Sequence, residues 1–533
     1  MKKLIILIFA STALLTSCNK NIDRVPLNNV AVQDYYTNTA EIQTALNGCY
    51  AGLRATIAEE WKLTELRSDI SIMGNATSKS VPNRELSDLD QFIPSTSLTA
   101  IYTYWSANYA NIRNINMILD ALDINYSDAT GALTVGTTSQ VTITPAELKE
   151  IASQATFLRA YHYFNLVRLF GGVFLVHEPI TGQQAIDMNR VSVNDIYKLI
   201  IADLQYASAN GVSLNYTAFA AANSGANLGK VNAWSAKALL AKVFLTLDRK
   251  SDAATLLNDV INNSGYGLIT TGLTPYADVF SVSNEMNKEI LFAIRYKAGG
   301  IGLGSPWPNA FAPELSGTAV VNGDGSGFNN GAYEFENQYS ATDARKSFTM
   351  GIWPTATTAV TSTSRRLYPK KHITPVTLKN DGENDWIVLR YADVVLMLAE
   401  AQGYSQASLN LINQTRTRAG VTTPLTLTTV PNAQSFADSL SRERKLEFAF
   451  ENVRWFDMLR YNVTMPSQSE NAITRLKNHF AFMYPNHYGK YPTPIPTLAT
   501  LQSYITTDRL LLPIPQREID NNTHVQIQQN PGY

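Results

Sequence analysis

Apolar side chains recur at spacings of three and four residues through the first half of the chain, which predicts a series of amphipathic helices. In the first of these, Ile42, Leu46 and Leu53 fall on one face. Another opens with a capping box at residues 144–147, has proline at its first position and stops at paired glycines. The predicted helices cover residues 42–57, 104–122, 144–171, 192–208, 232–247 and 252–263.

Alanine is frequent where these helices would cross, as at Ala233, Ala236 and Ala241. Paired helices with small residues at their contacts are similar to tetratricopeptide-type hairpins, although no regular repeat period is visible. We therefore predict a mainly α fold, with tetratricopeptide-like helix pairs forming an αα superhelix in the first half.

Residues 441–462 combine helical periodicity with many charges. Leu446, Phe450, Val453 and Phe456 would form one apolar face of a single helix. Arginines and carboxylates are interleaved with large aromatic residues on the remaining surface. Taken alone, this pattern favours a solvated face with short-range ion pairs such as Asp457 with Arg460.

The second half is rich in loops. Residues 289–296 alternate well enough for a short strand, and periodicity then stops from residue 299 to residue 373. This long segment is rich in Gly, Pro, Asn, Ser and Thr, and large aromatic residues are set into it. Long loops without regular structure are uncommon and are often functional.

The N-terminus has the features of an export signal. Two lysines precede a short apolar run, which ends at Cys18 after small residues. This pattern predicts a lipoprotein signal peptide at residues 1–17, acylation of Cys18 and a tether at residues 18–33. The protein would then be anchored to a membrane by lipid alone. Cys49 would be left as a buried, unpaired thiol.

Charge and motif content exclude several function classes. With 43 basic and 44 acidic residues, no basic field is available for nucleic acid. The six histidines are not at metal-ligand spacing, and no hydrolase or metalloprotease motif occurs. Glu443 and Glu447, four residues apart, suit a structural charge ladder better than a catalytic pair. We expect no enzymatic activity and no cofactor.

A weak calcium-loop pattern lies within the long loop. Asn322, Asp324 and Ser326 place oxygen-bearing side chains at alternate positions, with glycine at the sixth position. The twelfth position is Tyr333, where such a loop has a bidentate glutamate. We predict no metal site apart from this weak candidate.

Several segments, in order, resemble the SusD/RagB family of outer-membrane nutrient-binding lipoproteins. The matching segments are 155–173, 231–243, the Tyr339–Asp343–Arg345 step, 386–401, 411–420, 441–460 and the ending 512–533. The resemblance implies a SusD-like helical N-terminal region at residues 34–272. It also implies a C-terminal SusD/RagB region at residues 273–533, which contains the loop 299–373.

The chemistry of sugar recognition points to two of these loops. Sugar rings lie on aromatic faces, while amides, carboxylates and guanidinium groups bind their hydroxyls. Residues 67–97 and the long loop carry such side chains, and the resemblance places the family's glycan site on loops from the same two regions. The candidate ligand-binding residues are Arg67, Asp69, Asn75, Arg84, Phe92, Trp307, Phe311, Tyr333 and Trp353. Alanine at Trp307 or Trp353 is then expected to weaken binding and to leave thermal stability nearly unchanged.

The resemblance further implies a location and a partner. The protein would sit on the cell surface at the outer membrane, where it would capture an oligosaccharide and deliver it to a SusC-like TonB-dependent β-barrel transporter. Two alternatives remain open from the sequence. One is capture of peptides, as implied by the RagB side of the resemblance, and the other is a structural lid subunit without its own ligand pocket.

Overall fold

The computed structural model describes residues 36–74, 82–137, 139, 141–222, 229–272, 274–354, 366–465, 471–491, 494–522 and 524–533. The fold is mainly α, as predicted from the sequence. The helices of the first half are α1 (Thr39–Thr64), α2 (Asn83–Asp90), α3 (Thr99–Ala121), α4 (Pro145–Phe170), α5 (Gly182–Ile186), α6 (Val193–Asn210), α7 (Tyr216–Ala222), α8 (Ala233–Thr246), α9 (Lys250–Asn263) and α10 (Pro275–Asp278).

The long helices of the first half pack in series: α1 on α3, α3 on α4, α4 on α6, α6 on α8 and α8 on α9. Their contact faces are apolar, and α4 is buried along nearly its whole length beyond the first turn. The predicted capping box of α4 is present, with the Thr144 hydroxyl accepting from the Glu147 backbone N–H. Stacking of each helix on the next buries a continuous core through this half.

The second half adds shorter helices. They are α11 (Trp307–Phe311), α12 (Tyr333–Glu336), α13 (Arg345–Thr349), α14 (Tyr391–Gln402), α15 (Gln406–Arg418), α16 (Ala433–Glu447), α17 (Arg454–Thr464), α18 (Ala472–Met483), α19 (Leu498–Tyr504) and α20 (Gln516–Asn521). Helix α14 packs on α9, which continues the series of helix contacts from the first half into the second. Helices α11, α12 and α13 lie within residues 299–373, so this segment is not structureless.

The prediction of one continuous helix over residues 441–462 is wrong. Helix α16 ends at Glu447 and α17 begins at Arg454. Between them Phe450 and Asn452 adopt φ angles of 64° and 60°, a left-handed conformation that stops an α-helix. The helical spacing of the apolar residues therefore continues across a turn, where it no longer places them on one face.

The charges around this turn are buried, contrary to the expected solvated face. Apart from Arg442, the charged side chains of residues 441–460 are buried, and each of these charges is paired. The pairs are Asp69 with Lys445, Arg454 and Arg475; Glu443 with Arg345; Glu447 with Arg345, Arg390 and Arg418; Glu451 with Lys371 and Arg390; Asp457 with Arg444 and Arg460; Asp393 with Lys242 and Arg444; and Glu400 with Arg460. We call this set the buried charge network. The expected ladder of Glu443 and Glu447 is present, since both bind Arg345.

Short antiparallel strands tie distant parts of the chain together. The strands are β1 (Ser71–Met73), β2 (Ile124–Ser127), β3 (Ala132–Val135), β4 (Ile290–Ile294), β5 (Asn329–Gly331), β6 (Met350–Trp353), β7 (Arg366–Pro369) and β8 (Trp386–Arg390). They pair as β1 with β5, β2 with β3, β4 with β8 and β6 with β7. Within the family-like segment 386–401, residues 386–390 form β8 and the helix begins at Tyr391.

Two buried side chains of the helical first half have structural roles, and for Cys49 burial was expected from the sequence. Cys49 is buried with a free thiol. His162 is fully buried, and its ring nitrogens contact the side chains of Asn108 and Asn111 at 2.8 and 2.7 Å, so it has a structural role within the helix stack. Among the helices that the structure describes, none has the length and apolar character needed to cross a bilayer.

Candidate ligand-binding site

The two loop regions singled out from the sequence meet through β1 and β5. Ser71 pairs with Gly331 and Met73 with Asn329, so Gly74 lies beside Gly327 at the end of this ladder. A Cβ atom on Gly74 would lie 1.5 Å from the Gly327 carbonyl oxygen, so this close approach requires glycine. Strand β7 packs beside β5 and pairs with β6, which brings a third segment to the same place.

Three side chains at this place combine an aromatic ring with opposite charges. Trp353, the last residue of β6, pairs in register with Arg366, the first residue of β7. Arg366 Nη1 lies 3.7 Å from a Glu314 carboxylate oxygen, and the two side chains are 32% and 42% exposed. Trp353 is partly exposed as well. We call the surface formed by Glu314, Trp353 and Arg366 the loop face.

The loop face has the chemistry to bind a ligand with both apolar and polar groups. An indole ring offers a flat apolar surface, and the adjacent guanidinium and carboxylate supply hydrogen-bond donors and acceptors. The ion pair between Arg366 and Glu314 is long and exposed, so it contributes little stability and can yield to hydrogen bonds from a ligand at small cost. Leu315, which is 82% exposed, extends the apolar surface beside Glu314.

Two predicted residues of the first loop region, Arg67 and Phe92, are part of the core instead. The Arg67 guanidinium donates to the backbone carbonyls of Arg509 and Leu510 and lies 4.2 Å from the Trp455 ring centroid. Burial lowers the pKa of Arg67 to about 10. Phe92 packs on Trp455 and on Phe480. Arg67 and Phe92 are 1% and 2% exposed, so neither is positioned to contact a ligand in this conformation.

Asp69 is the acidic centre of three ion pairs. Its carboxylate accepts from Lys445 at 2.9 Å, from Arg454 at 2.7 Å and from Arg475 at 2.6 Å. Burial raises the pKa of Asp69, but the three cations outweigh this effect and hold the pKa well below its usual range. Asp69 therefore belongs to the buried charge network rather than to an exposed site.

The aromatic platform expected from Trp307 and Phe311 is also absent from the surface. These rings are 1% and 0% exposed and stack on each other with centroids 5.7 Å apart. Trp307 packs on Trp386 at 4.7 Å, and Phe311 packs edge-on to Trp61 at 5.2 Å. A sugar ring cannot stack on a buried aromatic ring. These residues instead pack α11 against the core of the molecule.

Three of the predicted residues keep solvent access. Arg84 on α2 is exposed, while Tyr333 on α12 and Trp353 are partly exposed. Of these, Trp353 lies on the loop face. Asn75 and the predicted lipidation site Cys18 lie outside the described residues. Ligand contact by Arg84, Tyr333 and Trp353 remains a prediction.

The weak calcium candidate forms a self-contained turn. Asp324 Oδ1 accepts from the backbone N–H groups of Gly317 and Gly325, which lowers the pKa of Asp324. The Asn322 side chain donates to the Thr377 carbonyl, and the Ser326 N–H donates to the Asn309 carbonyl. The Asp324 carboxylate thus already serves to close the turn. Within the described residues, no group of three or more His, Cys, Asp or Glu side chains could hold a metal ion.

Comparison with known families decides what this architecture is. The model of the SusD family matches residues 304–533, and a second model, described as starch-binding and associating with the outer membrane, matches residues 28–245. The two matches together span most of the chain. The chain belongs to the SusD/RagB family.

Individual relatives agree along their full length. A SusD-like protein P2 from Formosa agariphila is 25% identical, with 100% of each chain covered. A SusD-like protein from Bacteroides ovatus is 24% identical over 97% of this chain and 96% of the relative. Both similarities extend through the helical first half and the loop-rich second half of this SusD-like chain.

Solved structures share the fold at lower sequence identity. A protein described as a laminarin-binding SusD-like protein is 22% identical, with a TM-score of 0.69 over 93% of this chain and 100% of that chain. Surface glycan-binding protein A from Bacteroides thetaiotaomicron, solved in complex with laminarihexaose, is 19% identical, with a TM-score of 0.69 over 93% and 100%. The corresponding protein from Bacteroides fluxus has a TM-score of 0.71 at 22% identity over 93% and 99%.

Sequence reasoning missed two members of the loop face of this SusD-like protein. Glu314 and Arg366 carry no motif, and they are 52 residues apart in the chain. The nearest available signal was the position of Trp353 in the long loop, but nothing in the sequence indicates that β6 and β7 pair across it. The pairing that brings Arg366 beside Trp353 is a property of the folded backbone.

Proposed function

We propose that this protein is a cell-surface glycan-binding protein that captures an oligosaccharide at the loop face. The observation that carries the proposal is the partly exposed indole of Trp353 beside the exposed Arg366–Glu314 pair, in a chain that belongs to a family with glycan-binding members. The indole would stack on the C–H face of a sugar ring, while the two charged groups bind its hydroxyls. No catalytic step is assigned to any residue.

The proposal includes location and partner. Acylation of Cys18 would anchor the protein to the outer face of the outer membrane, and the captured glycan would pass to a SusC-like TonB-dependent barrel. The second family model, described as associating with the outer membrane, supports this location. Tethering by lipid leaves the protein free to reorient over a partner in the same membrane.

The glycan proposal can be tested by affinity electrophoresis of the chain from Asn19 onward through gels that contain different polysaccharides. Retardation by a glycan supports the proposal. We expect Trp353→Ala to weaken binding of that glycan about tenfold, taking as a guide the roughly 1–3 kcal/mol that a nucleic-acid base gains by stacking on an aromatic side chain. The melting temperature should change little, because the Trp353 ring is only partly buried.

A matched control variant shows whether the loss of any exposed aromatic ring, rather than of Trp353 in particular, weakens glycan binding. Phe482 is 51% exposed at the end of α18, and Phe482→Ala should bind like the wild type. If no polysaccharide retards the wild type and calorimetry detects peptide binding, the site is a peptide site and the glycan proposal fails.

Anchoring is tested separately in cells. Wild type grown with a labelled fatty acid should incorporate the label and sediment with outer membranes. Cys18→Ala should lose the label and appear in the soluble fraction, because the residue that would carry the acyl chains is gone. Equal labelling of the two proteins would show that Cys18 is not the anchor.

A further inference from the structure

We propose that a cleft on the helical first half is a second contact site for the same glycan, distinct from the loop face. The cleft has a volume of about 390 Å³ and lies between α3, residues 174–188 and α20. It contains none of the residues of the loop face. This inference rests on the proposed function, because it takes glycan as the ligand.

The floor of the cleft is aromatic. Trp105 packs against Tyr109 at 5.1 Å and against Phe174 at 5.8 Å, and the Tyr109 and Phe174 centroids are 6.1 Å apart. Trp105 is buried beneath the other two rings, which are partly exposed. Two ring surfaces supported by a third give the apolar contact that a sugar ring requires.

Charged groups surround this floor. Arg113 and Glu178 are exposed, and Glu518 is partly exposed at the edge contributed by α20. In the part of the chain that the structure describes, none of these three side chains has an ion-pair partner. Their donors and acceptors are therefore available to hydroxyl groups. Burial raises the pKa of Glu518, so hydrogen bonds from a ligand would replace water that this carboxyl group has partly lost.

The wall that carries Phe174 is held rigidly by side chains from two helices. Tyr109 Oη donates to the Phe174 carbonyl at 2.8 Å, and Tyr163 Oη donates to the Val176 carbonyl at 2.9 Å. Asn116 donates to the Val176 carbonyl at 2.9 Å, and Arg159 donates to the His177 carbonyl at 2.8 Å. Because the wall is already ordered, less conformational entropy is lost when a ligand binds.

These features favour an oligosaccharide over an apolar partner chain. The rim is charged and exposed at Arg113 and Glu178, so an apolar surface would have to desolvate these groups without replacing their hydrogen bonds. The volume lies at the lower end of the range for small-molecule sites, about 300–1,000 Å³. Two sites on one protein would let a long glycan bind at both, with a gain in avidity over a short one.

The test compares long and short forms of whichever glycan retards the wild type, using the chain from Asn19 onward. We expect Phe174→Ala to weaken binding of the polysaccharide about tenfold, because the second attachment is lost. In the Trp353→Ala background, residual binding should persist and should disappear when Phe174→Ala is added. Arg113→Ala, at an exposed position, should shift polysaccharide binding in the same direction without a stability change.

Phe482→Ala is again the control, and thermal melting verifies that each variant is folded. If Phe174→Ala is unstable, Arg113→Ala and Glu178→Gln decide the matter. If Trp353→Ala abolishes all binding while the cleft variants bind the polysaccharide like the wild type, the loop face is the single site and this inference is wrong. If the wild type binds no glycan, the proposed function fails and this inference fails with it.

Discussion

The buried charge network and the loop face are built from the same residue types but differ in exposure. In the network, Asp69 and Arg454 are 0% and 2% exposed and touch at 2.7 Å. On the loop face, Glu314 and Arg366 are 42% and 32% exposed and are 3.7 Å apart. Each region also has a tryptophan. Trp455, which follows Arg454 in the chain, is buried against the Arg67 guanidinium, whereas Trp353 is partly exposed.

This comparison shows that solvent access, and not residue type, distinguishes a structural charge network from a surface that a ligand can reach. A buried ion must keep every partner, because an unpaired charge in a low-dielectric interior is expensive. An exposed ion can exchange its partner for a ligand, because water already screens the pair. From composition alone, both regions are candidate ligand-binding sites. Because the charge network is buried, the loop face is the one of the two that a ligand can reach.

The largest effect should follow from breaking the buried network. Glu447 accepts hydrogen bonds from Arg345, Arg390 and Arg418, so Glu447→Ala leaves three guanidinium groups short of a carboxylate. Removing one partner of a buried pair typically costs about 3–5 kcal/mol. We expect a loss of this size in chemical denaturation.

An exposed pair supplies the control for that comparison. Lys198 contacts Asp195 at 2.8 Å on α6, with side chains 49% and 46% exposed. Lys198→Ala should change the free energy of unfolding by less than about 0.5 kcal/mol. Similar losses for Glu447→Ala and Lys198→Ala would contradict the distinction between buried and exposed charge.

A second prediction concerns Trp307, in the segment 299–373. Trp307 is 1% exposed and packs on Trp386, Phe311 and Tyr296. Trp307→Ala should lower the free energy of unfolding by about 3–5 kcal/mol, as for other buried Trp truncations. This replaces the expectation from sequence that its removal would spare stability. A variant at Trp307 with unchanged thermal stability would contradict the buried position.

A smaller effect on stability is expected from Glu65, a buried carboxyl group outside the buried charge network. Glu65 is buried and accepts from the Asn452 N–H, and burial raises its pKa to about 8. Since its pKa in the unfolded chain is about 4.3, its contribution to stability is full below that pH and is lost as pH rises toward 8. Glu65→Gln does not titrate, so its stability relative to wild type should increase between pH 5 and pH 8.

We expect that relative gain to be about 3 kcal/mol, since one pKa unit corresponds to about 1.4 kcal/mol and nearly the whole interval lies between the unfolded and folded pKa values of Glu65. Urea denaturation of both proteins at several pH values measures it. A constant difference across this range would mean that Glu65 is ionised in the folded protein.

The sequence predicted the helical half well because its signals are local. Caps, apolar spacing and the glycines after α4 each act within a few residues, and the structure has α4 from Pro145 to Phe170 as expected. The turn at Phe450 and Asn452 was missed because both residues adopt positive φ with no glycine to mark it. Tertiary contacts hold this turn: the Asn452 N–H donates to Glu65, and the Phe450 carbonyl contacts His372.

For the candidate site, the sequence singles out two regions but does not show which of their residues are accessible. The two chosen loop regions do meet, through β1 and β5. Within them, Arg67 and Trp307 are buried, because partners from distant segments cover them: the carbonyls of residues 509 and 510 bind Arg67, and Trp386 covers Trp307. The burial of these side chains depends on contacts with distant segments, which local sequence patterns do not reveal.

The pairing of β1 with β5 also bears on how the chain reaches its folded state. It joins residues 71–73 to residues 329–331, so the site requires closure of a loop of more than 250 residues. Contacts of such separation are slow to form, whereas the helix pairs of the first half can form early from local contacts. The carbonyls that hold Arg67 come still later in synthesis, at residues 509 and 510. The emerging polypeptide can therefore assemble its helical scaffold well before the loop face is complete.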